Sequence, residues 1–161
     1  MRSSITKRLA LIAMIPATLL VVIAFASSAQ AAVTGSAQLR SDIATLTNQQ
    51  RAAHGCKAVV VSPALTRSAQ GHSAYQARTN TLSHAGAGNS TFVTRTIAAG
   101  YNRPLSENVA FGFTSAAAVV NGWMASPGHR ANILNCKAIT VGVGVAYAAN
   151  GTPYFTQEFG Y

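Results

Sequence analysis

Acidic side chains are nearly missing from this chain. Its 161 residues hold three, Asp42, Glu107 and Glu158, against 12 lysines and arginines. Nine of those cations share residues 32–161 with all three acids, leaving that stretch a net charge of +6. Arg40, Arg51, Arg67, Arg78, Arg95, Arg103 and Arg130 are dispersed. The charge therefore reads first as solubility by mutual repulsion and second as attraction to anionic surfaces. No basic stripe interleaved with aromatics occurs, which argues against a specific nucleic-acid partner. Cysteine is equally scarce. Cys56 and Cys136 stand alone, without a C-x-x-C redox motif or the further ligands of a structural zinc site. In an exported chain such an even pair predicts a disulfide worth about 2–4 kcal/mol. No G-x-S-x-G elbow, H-E-x-x-H helix or internal repeat appears.

What is present begins with a leader. Arg2, Lys7 and Arg8 precede an apolar run from Leu9 to Ala26, and Ala29-Gln30-Ala31 fits an A-x-A cleavage site. Residues 1–31 are expected to be a secretory signal peptide, cleaved near Ala31, with 32–38 a short flexible leader and 39–161 one domain. An uncleaved anchor competes, since the run reaches the roughly 18 residues of a spanning helix, but Pro16 and Thr18 interrupt it. The product is expected to be extracellular and monomeric, with no membrane span after cleavage.

Periodicity supplies the elements. Leu39, Ile43 and Leu46 give a helix ending before Gly55, and Val59 to Val61 read as a short strand. Ser62-Pro63 caps a second helix running towards Thr79. Ser90 or Thr91 caps a third, with Phe92, Ile97 and Ala98 facing inward before Gly100. A fourth runs from Ser115 to Met124 and halts at Ser126-Pro127-Gly128. Strands follow from Ile139 to Val145 and from Pro153 to Phe159 about the Asn150-Gly151 turn, with another from Asn108 to Phe113. The fold class is α+β, helices on a small antiparallel sheet. Asn89-Ser90-Thr91 and Asn150-Gly151-Thr152 match a glycosylation pattern but read as turns.

The polar residues converge on Glu107, which lies in Ser106-Glu107-Asn108 between His84 and His129 in sequence. Two imidazoles and a carboxylate are the parts of a divalent-metal site, and Glu107 is the candidate catalytic acid if there is chemistry. His54, at a helix end, and His72, within the second helix, are read as structural. Glu158 alternates with Phe159 and is expected to point to solvent, and Asp42 to lie on a polar helix face. Ser126, His129 and Glu107 can be written as a hydrolytic triad, but Ser126-Pro127 is better explained as a helix end.

These motifs carry a family resemblance. Asn48-Gln49-Gln50-Arg51, Leu82-Ser83-His84, Ser106-Glu107-Asn108, the run from Trp123 to Leu134, Val141-Gly142-Val143-Gly144 and Tyr154-Phe155-Thr156-Gln157 resemble, in order, the signatures of bacterial CAP-domain (SCP-like) proteins. This superfamily joins cysteine-rich secretory proteins, venom allergens and plant pathogenesis-related proteins. The resemblance implies an α-β-α sandwich with a central cleft, where His84 would be the first metal ligand and Glu107 the first acid. The family's second glutamate place is Ser126 here, its second histidine place is Tyr154, and Ser106 replaces a glycine. His129 belongs to the bacterial S-P-G-H-R segment and is expected to face the cleft as a second ligand. A weakly bound divalent metal, zinc first, is the expected cofactor. A lipid, sterol or cell-envelope component is the expected partner. The resulting expectation is an extracellular binding module, with a peptidase or esterase using the same cleft as the alternative.

Overall fold

A computed structural model describes the backbone from residue 17 and the side chains from residue 35. The expected signal peptide and its cleavage site lie outside the residues whose side chains are described. Helix α1 spans Ala17–Ala53, so the backbone at 32–38, read as a flexible leader, is helical. Local propensity is mixed there, since Ala32, Ala37 and Gln38 favour a helix while Val33, Thr34, Gly35 and Ser36 do so less. Among the described residues no helix is long and apolar enough to cross a membrane.

Within the unit Gly35–Tyr161 the order continues as β1 (Val60–Val61), α2 (Pro63–Thr79), a 3-10 turn (Ala87–Asn89), α3 (Phe92–Ala98), β2 (Pro104–Phe111), α4 (Ala116–Ala125), α5 (Pro127–Ile133), β3 (Thr140–Tyr147) and β4 (Pro153–Gly160). Local chemistry sets the helix starts. Ser62, Thr91 and Ser115 each accept a backbone N–H of the first turn, and Pro63 and Pro127 occupy first helical positions, where their missing N–H costs nothing. Ser126 thus ends α4 and Pro127 at once restarts the chain as α5, so the turn expected before His129 is a helix junction carrying His129 in its first turn.

The sheet order is β1-β3-β4-β2. Strand β4 pairs antiparallel with both β2 and β3, while the two-residue β1 runs parallel to β3, so the sheet is antiparallel except at one edge. Strand β1 covers only the start of β3. Beyond it the Gln70 side chain replaces a strand, accepting from Val145 N–H and donating to Val145 O. Alternation divides the sheet into two faces. Val141, Val143, Val145, Phe155 and Phe159 meet Ile43, Val119, Trp123 and Ile133 in one buried core. On the opposite face Gly142 and Gly144 let α2 lie directly on β3, since a Cβ at either would overlap the backbone of Leu65 or Ala69. Helices on both faces make the expected α-β-α sandwich.

Two expectations fail here. Helix α3 buries Thr96, not Ile97, which is half exposed, nor Ala98, also exposed; Phe92 is only partly covered. The helix is two turns long and meets the body along one narrow line, which Thr96 can occupy because its hydroxyl donates to Val93 O. Glu158 does not reach solvent but is fully buried. Its strand is interior, so Phe159 enters one covered face and Glu158 enters the other, beneath α2.

Cys56 and Cys136 form the expected disulfide, with Cα atoms 4.9 Å apart. Beside it Arg51 is wholly buried with no carboxylate partner. Its guanidinium instead donates to the carbonyls of Lys57, Ile133, Asn135 and Ala138. The carbonyls at the end of α5 carry the negative end of a helix dipole, which suits a cation. Desolvation still lowers the Arg51 pKa. The Asn48 side chain donates to Val59 O and accepts from Val59 N–H. The N-x-x-R motif therefore fastens α1 to the residue just before β1 and to the segments that flank the two cysteines.

Candidate functional site

Glu107 stands on β2 directly opposite Glu158 of β4, and its side chain is 1% exposed. Both its oxygens are engaged. Oε1 accepts from His84 Nδ1 at 2.8 Å and Oε2 accepts from Arg95 Nη2 at 2.6 Å. These are charge-assisted contacts of the strong kind.

The loop bearing His84 is held from both sides. Asn80 ends α2 in the left-handed region, then Ser83 N–H donates to Gln76 Oε1 and Ser83 O accepts from His72 Nε2. From α3, Arg95 Nη1 donates to the carbonyls of His84 and Ser90. Buried His72 thus fixes a backbone, as its structural reading expected, and desolvation lowers its pKa. His84 remains 60% exposed at its side chain. Its pKa is raised, mainly by the hydrogen bond to Glu107. With Nδ1–H committed to the carboxylate, Nε2 is the nitrogen left for a ligand.

A cavity of about 650 Å³ opens beside this pair. Its apolar wall includes Phe92, Val93 and Leu105, and its polar wall includes Ser106, Glu107 and Asn132. The Ser106 hydroxyl is buried and unpartnered. Asn132 donates to Glu107 O and to Asn108 Oδ1, and Asn108 donates to Gln157, which donates to Thr47. This side-chain chain runs from the cavity wall back to α1 and holds β2 in place.

The other predicted site residues divide. His129 on α5 is half-buried, and its pKa is lowered first by desolvation and then by the charge on His84, so the two imidazoles are electrostatic neighbours. His129 is nevertheless absent from the cavity lining, as are Ser126 and Tyr154. Ser126 caps α5 without a side-chain hydrogen bond. Tyr154 is buried and stacks on Phe111 at 5.7 Å, near the far end of α2. Among the described hydrogen bonds none joins Ser126 to His129.

Two residues escaped the sequence reading. Arg95 was one dispersed cation among seven arginines, and only folding brings α3 to β2. Glu158 could have been found from register, since β2 and β4 place it opposite Glu107. Ser68 donates to its Oε1 at 2.9 Å, while Oε2 has no partner. Burial, followed by the proximity of Glu107, pushes its pKa up to about 8. A pKa raised that far favours the protonated acid over the carboxylate near neutral pH.

The fit to a metal is partial. His84 has the tautomer a metal ligand needs, with its second nitrogen oriented by a carboxylate. The ligand number falls short, because both Glu107 oxygens are spent and no group of three or more His, Cys, Asp or Glu suited to a metal occurs among the described residues. A metal would also displace the proton that His84 favours.

Comparison with known proteins agrees with this architecture. The profile of the CAP, Cysteine-rich secretory protein family, matches residues 44–159. The uncharacterized protein YkwD of Bacillus subtilis is 32% identical over 119 residues, covering 73% of this chain and 45% of that protein. Among solved structures, an extracellular protein containing an SCP domain from Bacillus anthracis has a TM-score of 0.70 at 28% identity, over 78% of this chain and 41% of that one. An outer surface protein of Borrelia burgdorferi has a TM-score of 0.66 at 18% identity, over 73% and 87% of the two chains, a likeness of fold alone. The chain thus spans under half the length of the two Bacillus proteins. From strand order, motif order and profile together, the chain belongs to the CAP, or cysteine-rich secretory protein, family.

Proposed function

We propose that this chain is exported and acts as an extracellular binding module, taking a small amphiphilic ligand of the lipid, sterol or cell-envelope kind into the cavity beside His84 and Glu107. The observation that carries the reading is the cavity itself: about 650 Å³ of space with an apolar wall of Phe92, Val93 and Leu105 and a polar end. Such a volume falls in the range of small-molecule sites, and a mostly apolar wall with a few fixed polar groups is how such sites orient a ligand. The leader-like residues 1–31 and the extracellular Bacillus relative support export.

Hydrolysis fits the geometry less well. A general base needs an available lone pair within reach of substrate, and Glu107 offers both oxygens to protein donors. No nucleophile adjoins either histidine among the described hydrogen bonds. A divalent metal, zinc first, is a subsidiary part of the reading. His84 Nε2 and His129 would hold it with water completing the shell, and bound there it would act as a Lewis acid towards a ligand's polar group.

Purification without chelators, followed by metal analysis and mass spectrometry of extracted lipids, tests both parts. The binding reading expects a stoichiometric amphiphile. The metal reading expects zinc to raise the melting temperature of wild type but not of a His84→Ala, His129→Ala double variant. An empty extract together with no response to any amphiphile would reject the binding reading. An equal zinc response in both proteins would reject the metal site. Turnover of peptide or ester substrates that is lost in His129→Ala, with folding retained, would favour the hydrolase instead.

A further inference from the structure

The sheet register brings one end of all four strands into line: Val60 pairs with Thr140, Thr140 with Gly160, and Gly160 with Pro104. Val60 in that row, and Ile139 and Tyr161 beside it, are 69%, 55% and 37% exposed, and neighbouring Val61 is exposed too. Cations flank them. Lys57 and Lys137 each adjoin a cysteine of the disulfide, and both are exposed. Exposed Arg103 lies with its guanidinium 5.7 Å from the Tyr161 ring centre. The backbone here is rigid, because Lys57 O accepts from Arg51, Lys137 N–H donates to Asn135 Oδ1, and Tyr161 N–H donates to Arg103 O.

Acid side chains are missing from this end. Glu107 and Glu158 are buried. Asp42 is eleven residues before the end of α1, roughly 16 Å along the helix.

The geometry points to this end of the sheet as a docking surface for a membrane carrying anionic lipid headgroups. Aliphatic side chains and a tyrosine ringed by lysine and arginine match the two layers of such a surface. The ring enters the headgroup region, the aliphatic tips reach the acyl boundary, and the cations meet phosphates. A soluble polyanion would use the cations and leave Val60 and Ile139 without a role.

The test is co-sedimentation of the full chain with vesicles of phosphatidylcholine alone or mixed with phosphatidylglycerol. Because Arg2, Lys7 and Arg8 beside the apolar run Leu9 to Ala26 also favour anionic vesicles, the readout is the change that substitutions at this end of the sheet make to the preference, not the preference itself. Wild type is expected to prefer the anionic vesicles and to lose that preference in high salt. Lys57→Gln, Lys137→Gln should weaken it by about fivefold per lysine. Val60→Ser, Ile139→Ser should weaken it as well, and unchanged melting temperatures would confirm that these exposed changes leave the fold intact. Loss in the lysine pair without loss in the valine–isoleucine pair would identify a polyanion as the partner and overturn the membrane. So would a valine–isoleucine effect traced to loss of a dimer in gel filtration, or no effect from either pair.

Discussion

Glu107 differs from the other acids in how completely it is used. One oxygen takes an imidazole N–H and the other a guanidinium N–H, both inside 3 Å. Glu107→Gln keeps the shape and removes the charge, leaving Arg95 paired only with carbonyls. It should lower stability by about 3 kcal/mol in chemical denaturation, the usual cost of breaking a largely buried pair. His84 should then titrate at lower pH by NMR, because the acceptor that raises its pKa is gone. In wild type that raised pKa adds stability fully present below the ordinary histidine value near 6.5 and lost as pH rises through the folded value. Glu158 obeys the same sign for a different reason. Its folded pKa of about 8 exceeds its ordinary 4.5, so the folded state holds a proton that the unfolded chain releases between those values. Stability should therefore fall as pH rises from about 4.5 to about 8. Glu158→Gln, an uncharged near-isostere, should flatten that slope and stabilise the protein by about 1–3 kcal/mol near pH 9, where wild type buries a charge. Melting curves across pH decide it, and a variant with wild-type slope would mean that Glu158 is ionised throughout.

At the level of elements, what could be read from the sequence was local. Ser62-Pro63 and Ser115 announce helix starts because a cap is a contact between near neighbours. The β3 alternation and the Asn150-Gly151 turn announce a hairpin for the same reason. Facing directions were harder, because they depend on what covers an element. Alternation alone said that Glu158 and Phe159 point oppositely, but not that both sides are covered. Gly142 and Gly144 show the same dependence, since β3 reads as an ordinary strand until α2 is laid on it. Gly144→Ala drives a methyl into the Ala69 backbone and should cost at least about 1–3 kcal/mol. A denaturation midpoint equal to wild type would mean that α2 and β3 can separate freely. Reduction of Cys56–Cys136 should cost about 2–4 kcal/mol by freeing the unfolded chain. The loss is expected to be graded rather than complete, because the Arg51 hydrogen bonds still tie the same segments together.

Across the whole molecule, the scarcity of acids acquires a different meaning. Two of the three are buried and Asp42 alone is exposed, so the surface of residues 35–161 is nearly of one sign. Motif order carried the fold class and brought His84 to Glu107 correctly. It could not foresee Arg95, whose partner lies across the α3–β2 connection, or the apolar wall that turns a metal-like pair into one end of a cavity. Val93 gives direct access to the proposed amphiphile cavity, lining the space while being 37% exposed on α3. The deciding measurement is the melting temperature of wild type and Val93→Glu with and without a long-chain alcohol, a fatty acid and a sterol. Wild type should rise with at least one of them, and Val93→Glu should melt as wild type does alone and lose the rise. No rise with any ligand, or an equal rise in both proteins, would mean that the cavity does not take an amphiphile.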